Sequence, residues 1–91
     1  MHTQSLLTRA DQRQQLHIDL YNSLVRELRG HMKRERLNQT ELADHLGVSK
    51  GYISRLLNGN GDPKLSSILD LALAVGKEPV LLFTDRPQAK P

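Results

Sequence analysis

The sequence predicts an all-α fold, and three observations predict it. Aromatic residues make up only 3% of the 91 residues and cysteine is absent. A core must therefore be built from Leu, Ile, Val and Ala, without disulfides or thiolate metal sites to support it. Leu20, Leu24, Leu28 and Met32 recur every four residues, with Tyr21 and Val25 beside them, which is the spacing of one buried helix face. Glycine, Asn/Ser and proline then divide the rest of the chain into short apolar-periodic pieces of helical length. The length suits one compact domain.

Each element follows in order. Residues 1–15 are polar and Gln-rich and form a flexible or helical lead, in which Thr8 and Asp11 have the spacing of a loose capping box. The long amphipathic helix is expected from Leu16 to Arg36, with Gly30 on its polar side weakening it slightly. Asn38 caps a second helix from Gln39 to Leu46 that buries Leu42, Ala43 and Leu46. Gly47 stands where a helix ends in a left-handed residue. Ser49 caps a third helix from Lys50 to Asn58, and Gly59-Asn60-Gly61 breaks it. Asp62 and Pro63 read as N-cap and first-position proline of a fourth helix, with Leu65, Ile68, Leu69, Ala72 and Val75 inward and Gly76 at its end. After Pro79, the apolar run at residues 80–84 suits a short β-strand. The domain is thus expected over residues 16–84, with residues 85–91 a disordered tail. No internal repeat is present.

Charge narrows the function classes. The net charge is +3 and the isoelectric point about 9.6, which favours a polyanionic partner. Five basic residues lie between Arg26 and Arg36 against two glutamates, a pattern expected of a solvated helix face. From Gly47 to Gly61 there is no acidic residue, while Lys50 and Arg55 are present. No apolar run approaches a membrane span, and the N-terminus lacks the basic segment and apolar core of a signal peptide. A cytoplasmic protein is expected. His17, His31 and His45 recur at intervals of fourteen, but without cysteine or carboxylates at ligand spacing they point to no metal. No nucleophile with its base and no phosphate-cradling glycine loop occurs, so neither enzymatic activity nor a cofactor is expected.

The three residues Gly47-Val48-Ser49 join two helices too short to be stable alone. Such a turn sets the helices steeply across each other, as in a helix-turn-helix unit. At about 100° per residue, the third helix turns Ile53, Leu56, Leu57 and the ring of Tyr52 inward. Gly51, Ser54, Arg55 and Asn58 lie on the opposite face, with Lys50 at its leading edge. That face is narrow, polar, basic and free of acids.

Asn38-Gln39-Thr40-Glu41-Leu42-Ala43, Leu46-Gly47-Val48-Ser49, Ile53-Ser54-Arg55 and Asn58-Gly59 with Pro63 together resemble the Cro/phage-repressor (lambda-repressor-like, XRE-type) helix-turn-helix family over roughly residues 24–76. The resemblance implies a compact bundle of four to five helices and sequence-specific binding of double-stranded DNA as a homodimer. By position, Gln39 matches the glutamine that touches a phosphate and braces the recognition helix. Lys50, Gly51, Ser54 and Arg55 match positions facing base edges, and Ser49 and Tyr52 match places near the DNA backbone; Asn58 completes the outward face. Two positions depart from the family. Gly51 replaces a side chain that often reads a base, which implies sparser direct readout. Lys64 stands where a Ser or Thr often caps the fourth helix; with Asp62 capping instead, Lys64 is free for a phosphate.

The function expected is a transcriptional regulator, a repressor on an inverted-repeat operator. The alternative is an antitoxin that binds a partner toxin and regulates its own operon, and a structural or enzymatic role without DNA is the third. The homodimer is expected to pair residues 80–83 of two copies as an antiparallel ribbon, helped by apolar residues of the fourth helix or the long first helix, with the first helix alone as the second candidate interface.

Overall fold

The structure is a computed structural model that describes residues 8–85. Residues 1–7 of the expected lead and 86–91 of the expected tail lie outside the described residues. Four helices are present among those described: α1 (Arg9–Glu35), α2 (Gln39–Leu46), α3 (Lys50–Leu57) and α4 (Leu65–Ala74).

The long helix begins seven residues earlier than its apolar periodicity indicated. Thr8 and Asp11 form a complete capping box: the Asp11 amide donates to Thr8 Oγ1 at 3.1 Å, and the Thr8 amide donates to Asp11 Oδ2 at 3.1 Å. Two otherwise orphaned donors are satisfied reciprocally, so a first half without an apolar stripe still starts as helix. Only the second half of α1 packs: Leu24 and Leu28 are buried, with Tyr21, Val25 and Met32 against them, whereas Leu20 is only partly covered.

The short helices follow the caps. Asn38 and Glu41 form a second capping box at the start of α2, with 2.8 and 2.9 Å bonds. Its far end closes with Gly47 at φ 71°, the Val48 amide bonded to the Ala43 carbonyl at 3.0 Å and the Gly47 amide to Asp44 at 3.2 Å. This is the Schellman arrangement, in which the left-handed residue returns two amides to the last turn. Ser49 Oγ accepts from the Tyr52 amide at 3.0 Å and starts α3. A Cβ added at Gly47 would meet nothing within 4 Å, so a substitution there is penalised by backbone conformation alone. Gly47→Val is expected to cost roughly 1 kcal/mol or more, lowering the melting temperature by about 4–8 °C per kcal/mol and weakening DNA binding with it. An unchanged melting temperature with normal binding would contradict this account of the turn.

The core joins all four helices: Leu28, Leu42, Ile53 and Leu56 are fully buried, and Leu57, Leu71 and Val75 complete it. Two further contacts hold α3 against α1. The Tyr21 hydroxyl donates to the Leu56 carbonyl and accepts from the Gly61 amide at 3.1 Å. The Arg29 guanidinium donates to the Leu57 carbonyl at 3.0 Å. Both carbonyls are among those a helix end leaves without an internal partner, and the guanidinium also suits the negative end of the helix dipole. A Cβ at Gly61 would lie 3.2 Å from both the Tyr21 hydroxyl and Leu56 Cδ1, so this loop passes close to α1 because the residue is glycine.

Three expectations are corrected. Asp62 does not cap α4: Lys64 occupies the N-cap position without a side-chain bond, Pro63 lies before the helix, and Asp62 Oδ1 sits 3.1 Å from His17 Nε2 instead. The helix starts two residues later than expected, too far for the carboxylate to reach its first amides. The inward face of α4 is Leu71, Ala72 and Val75 with Ile68 beside them, while Leu65 and Leu69 are exposed. This helix is apolar on nearly every side, so its periodicity does not single out one face. Finally, residues 77–85 form no strand. A strand exists through its ladder partner, and among the described residues none lies alongside.

Candidate nucleic-acid interface

The turn fixed by Gly47 and Ser49 carries α2 into α3 and leaves one side of α3 uncovered. Lys50, Gly51, Arg55 and Asn58 are exposed, and Ser54 and Tyr52 are half-buried. Ser49 is exposed, with its hydroxyl oxygen already accepting the Tyr52 amide. Its remaining hydroxyl proton can be donated to an acceptor outside the protein. The Tyr52 ring packs partly against the core, which anchors its first turn. Gln39, half-buried, is the first residue of α2, and the Asn38–Glu41 capping box holds that turn in place. Lys64 is exposed at the start of α4.

Gly51 acquires a physical reading. The Arg55 guanidinium lies back over it, with Nη1 3.5 Å from where a Cβ at position 51 would stand. Arg55 therefore extends towards the N-terminal end of α3 rather than away from the bundle. A glycine at the neighbouring turn leaves that path open; a longer side chain at position 51 would compete for the same space. The missing side chain at Gly51 and the reach of Arg55 belong to one arrangement.

Beside this face lies an open cleft of about 570 Å³ between the α2–α3 turn and α4. Ser49, Tyr52 and Arg55 line one side, Ser67 and Asp70 the other, over a floor containing Leu46, Val48 and Leu71. Asp70 is a residue that the linear pattern did not single out. It brings a carboxylate to the edge of an otherwise acid-free surface, where it opposes a nearby phosphate and favours a cation. Its spacing of three from Ser67 along α4 is the only local signal, and it gains meaning only once α4 lies beside α3.

No group of three or more His, Cys, Asp and Glu residues converges among the described residues. His31 and His45 face one another across α1 and α2 with ring centroids 5.3 Å apart. No helix among the described residues is long and apolar enough to cross a membrane.

Comparison with curated proteins returns no match, and comparison with solved structures returns none. A family model described as a helix-turn-helix domain matches residues 23–82, more than half of the chain. The match spans the packed half of α1, all of α2, α3 and α4, and the segment after them. With two capped helices crossing at a glycine turn and one face of the second left open, the chain belongs to the helix-turn-helix domain family of DNA-binding regulators.

Proposed function

We propose that the protein is a transcriptional repressor that binds an inverted-repeat operator as a homodimer. The observation that carries this reading is the exposed, acid-free face of α3, with Arg55 extended over Gly51 and Lys50 at the leading edge. A helix of this kind enters the major groove with its N-terminal residues on base edges. Gln39, Ser49, Tyr52 and Lys64 then meet the backbone on either side and fix the register, while Lys50, Ser54, Arg55 and Asn58 face the bases. Repression requires nothing beyond occupancy of promoter DNA.

Selection of bound sequences from random duplex DNA tests the proposal. Enrichment of an inverted repeat with half-site centres about 10 base pairs apart is expected, and recovery of unenriched DNA would overturn it. The second reading, an antitoxin that also binds a toxin, draws support from the apolar residues left exposed on α1 and α4. It requires a second small protein that copurifies in a fixed ratio and is released only on denaturation.

A further inference from the structure

The three histidines spaced by fourteen along the chain do not stay equivalent in the fold. His17 is drawn to Asp62, with 3.1 Å between Nε2 and Oδ1. His31 of α1 and His45 of α2 instead come together, with ring centroids 5.3 Å apart and planes inclined by 37°. His31 is half-buried, and its Nε2 is fully buried without a hydrogen-bond partner among the described residues. The His45 ring packs beside that nitrogen without bonding to it. Folded proteins seldom leave a buried polar atom unsatisfied, and one that is left so calls for a water, an ion or a function.

We infer that His31 and His45 together bind one divalent transition-metal ion of the imidazole-preferring class, represented by zinc, between α1 and α2. The spacing fits. Two imidazoles on one tetrahedral ion, each nitrogen about 2.1 Å from the metal, place their ring centres roughly 5 Å apart. His45 is exposed, so rotation about its side-chain torsions can aim a nitrogen at the shared position without moving the backbone. The site has two protein ligands. Glu41 lies one turn before His45, but its Oε1 accepts the Asn38 amide at 2.9 Å. Glu27 lies one turn before His31, but its Oε1 is 3.7 Å from Lys77 Nζ. No third His, Cys, Asp or Glu converges on the pair among the described residues, so water completes the coordination.

An ion held here adds a tie that the fold otherwise lacks. α2 packs chiefly on α3, and the Tyr21 and Arg29 bonds fasten α3, not α2, to the long helix. Bridged by two imidazoles, the first helix of the helix-turn-helix pair gains its own polar attachment to α1. The two ligands come from elements that separate on unfolding, so the ion binds the folded chain in preference and stabilises it. Neither histidine is among the residues placed towards DNA, and the site stands independently of the repressor reading.

The test is isothermal titration calorimetry of the full chain with zinc chloride at about pH 7.5, because metal binding requires deprotonated ligands. Thermal unfolding followed by circular dichroism runs alongside. Wild type is expected to bind one zinc ion per chain with a dissociation constant on the order of 10 µM, since only half of zinc's positions are filled by protein. It should melt several degrees higher in excess zinc, whereas magnesium, which takes oxygen ligands, should do neither. His45→Ala should fold as wild type does, because the position is exposed and alanine favours helix. It should nevertheless bind zinc at least about 10-fold more weakly, the chelating second imidazole being gone. His31→Gln should show the same loss, and His17→Ala should leave zinc affinity unchanged. A wild type that binds no zinc at about 1 mM, or wild-type affinity in His45→Ala, would overturn the inference. So would loss of binding in His17→Ala alone, which would assign the ion to the His17–Asp62 pair. A chain that binds zinc through His31 and His45 but ignores duplex DNA at low salt would remove the repressor reading and leave this site standing.

Discussion

Arg55→Ala is expected to leave the protein folded and to flatten its base preference at one position in each half-site. The Arg55 side chain is exposed and makes no hydrogen bond or ion pair among the described residues, and alanine is the better helix former. In the proposed complex, its extension over Gly51 towards the leading end of α3 would offer two parallel donors to the O6 and N7 of a guanine. Such a bidentate pair is worth roughly 1–3 kcal/mol of discrimination, and in a dimer the loss occurs once per half-site. Lys64→Ala should behave differently: it should weaken binding to all sequences about equally and reduce the salt dependence by about one phosphate contact. Selection from random duplexes separates the two outcomes. An unchanged preferred sequence in Arg55→Ala would remove the base contact from Arg55.

One residue further along α3, the expected effect is reversed. Leu56→Ala should damage the fold throughout while removing nothing from the outward face. Leu56 is fully buried, and truncating such a leucine costs about 2–5 kcal/mol through lost transfer energy and the cavity left behind. A domain of this size holds only about 5–14 kcal/mol in total, so a large share of its stability is lost. At about 4–8 °C per kcal/mol, the melting temperature should fall by at least roughly 8 °C. The loss is aggravated locally, because the Leu56 backbone lies under Gly61 and its carbonyl accepts the Tyr21 hydroxyl. Thermal unfolding followed by circular dichroism measures this directly; a melting temperature within a few degrees of wild type would contradict the packing described.

These neighbours illustrate what was legible in the sequence. Local chemistry was: Asn38, Gly47 and Ser49 act within three or four residues of their own positions, and the structure uses all three as their types require. The inward set of α3 was legible too, because Ile53, Leu56 and Leu57 alternate with polar residues and leave one solution. What was lost depended on distant partners or on ambiguity. The first turns of α1 carry no apolar stripe, so periodicity was silent there although Thr8 and Asp11 marked the true start. In α4, apolar residues on almost every side left the orientation to be decided by contact with α1. Asp62 was assigned to the nearest helix end, whereas it faces His17 from 45 residues away. Residues 80–84 had strand composition but no neighbouring strand among the described residues. At the candidate interface, Asp70 escaped notice because it reaches the cleft from a different helix, and Gly51 read as a loss until the room it leaves for Arg55 was visible.

The two bonds from α1 to the end of α3, from Tyr21 and from Arg29, have a mechanical consequence. They fasten the recognition helix to a 27-residue rod, so α3 cannot tilt or swivel without carrying the rod along. If two such rods meet across a dyad, the distance between recognition helices becomes a built-in calibre rather than an adjustable gap. One base pair added between half-sites displaces the second by about 3.4 Å and rotates it by about 34° around the duplex. With α3 fastened to α1 in this way, such a dimer would have to underwind the duplex to accommodate that twist. On the proposed repressor reading, the chain would then measure spacer length as strictly as it reads letters, and a promoter differing by one base pair in its centre would be, to such a dimer, a different site.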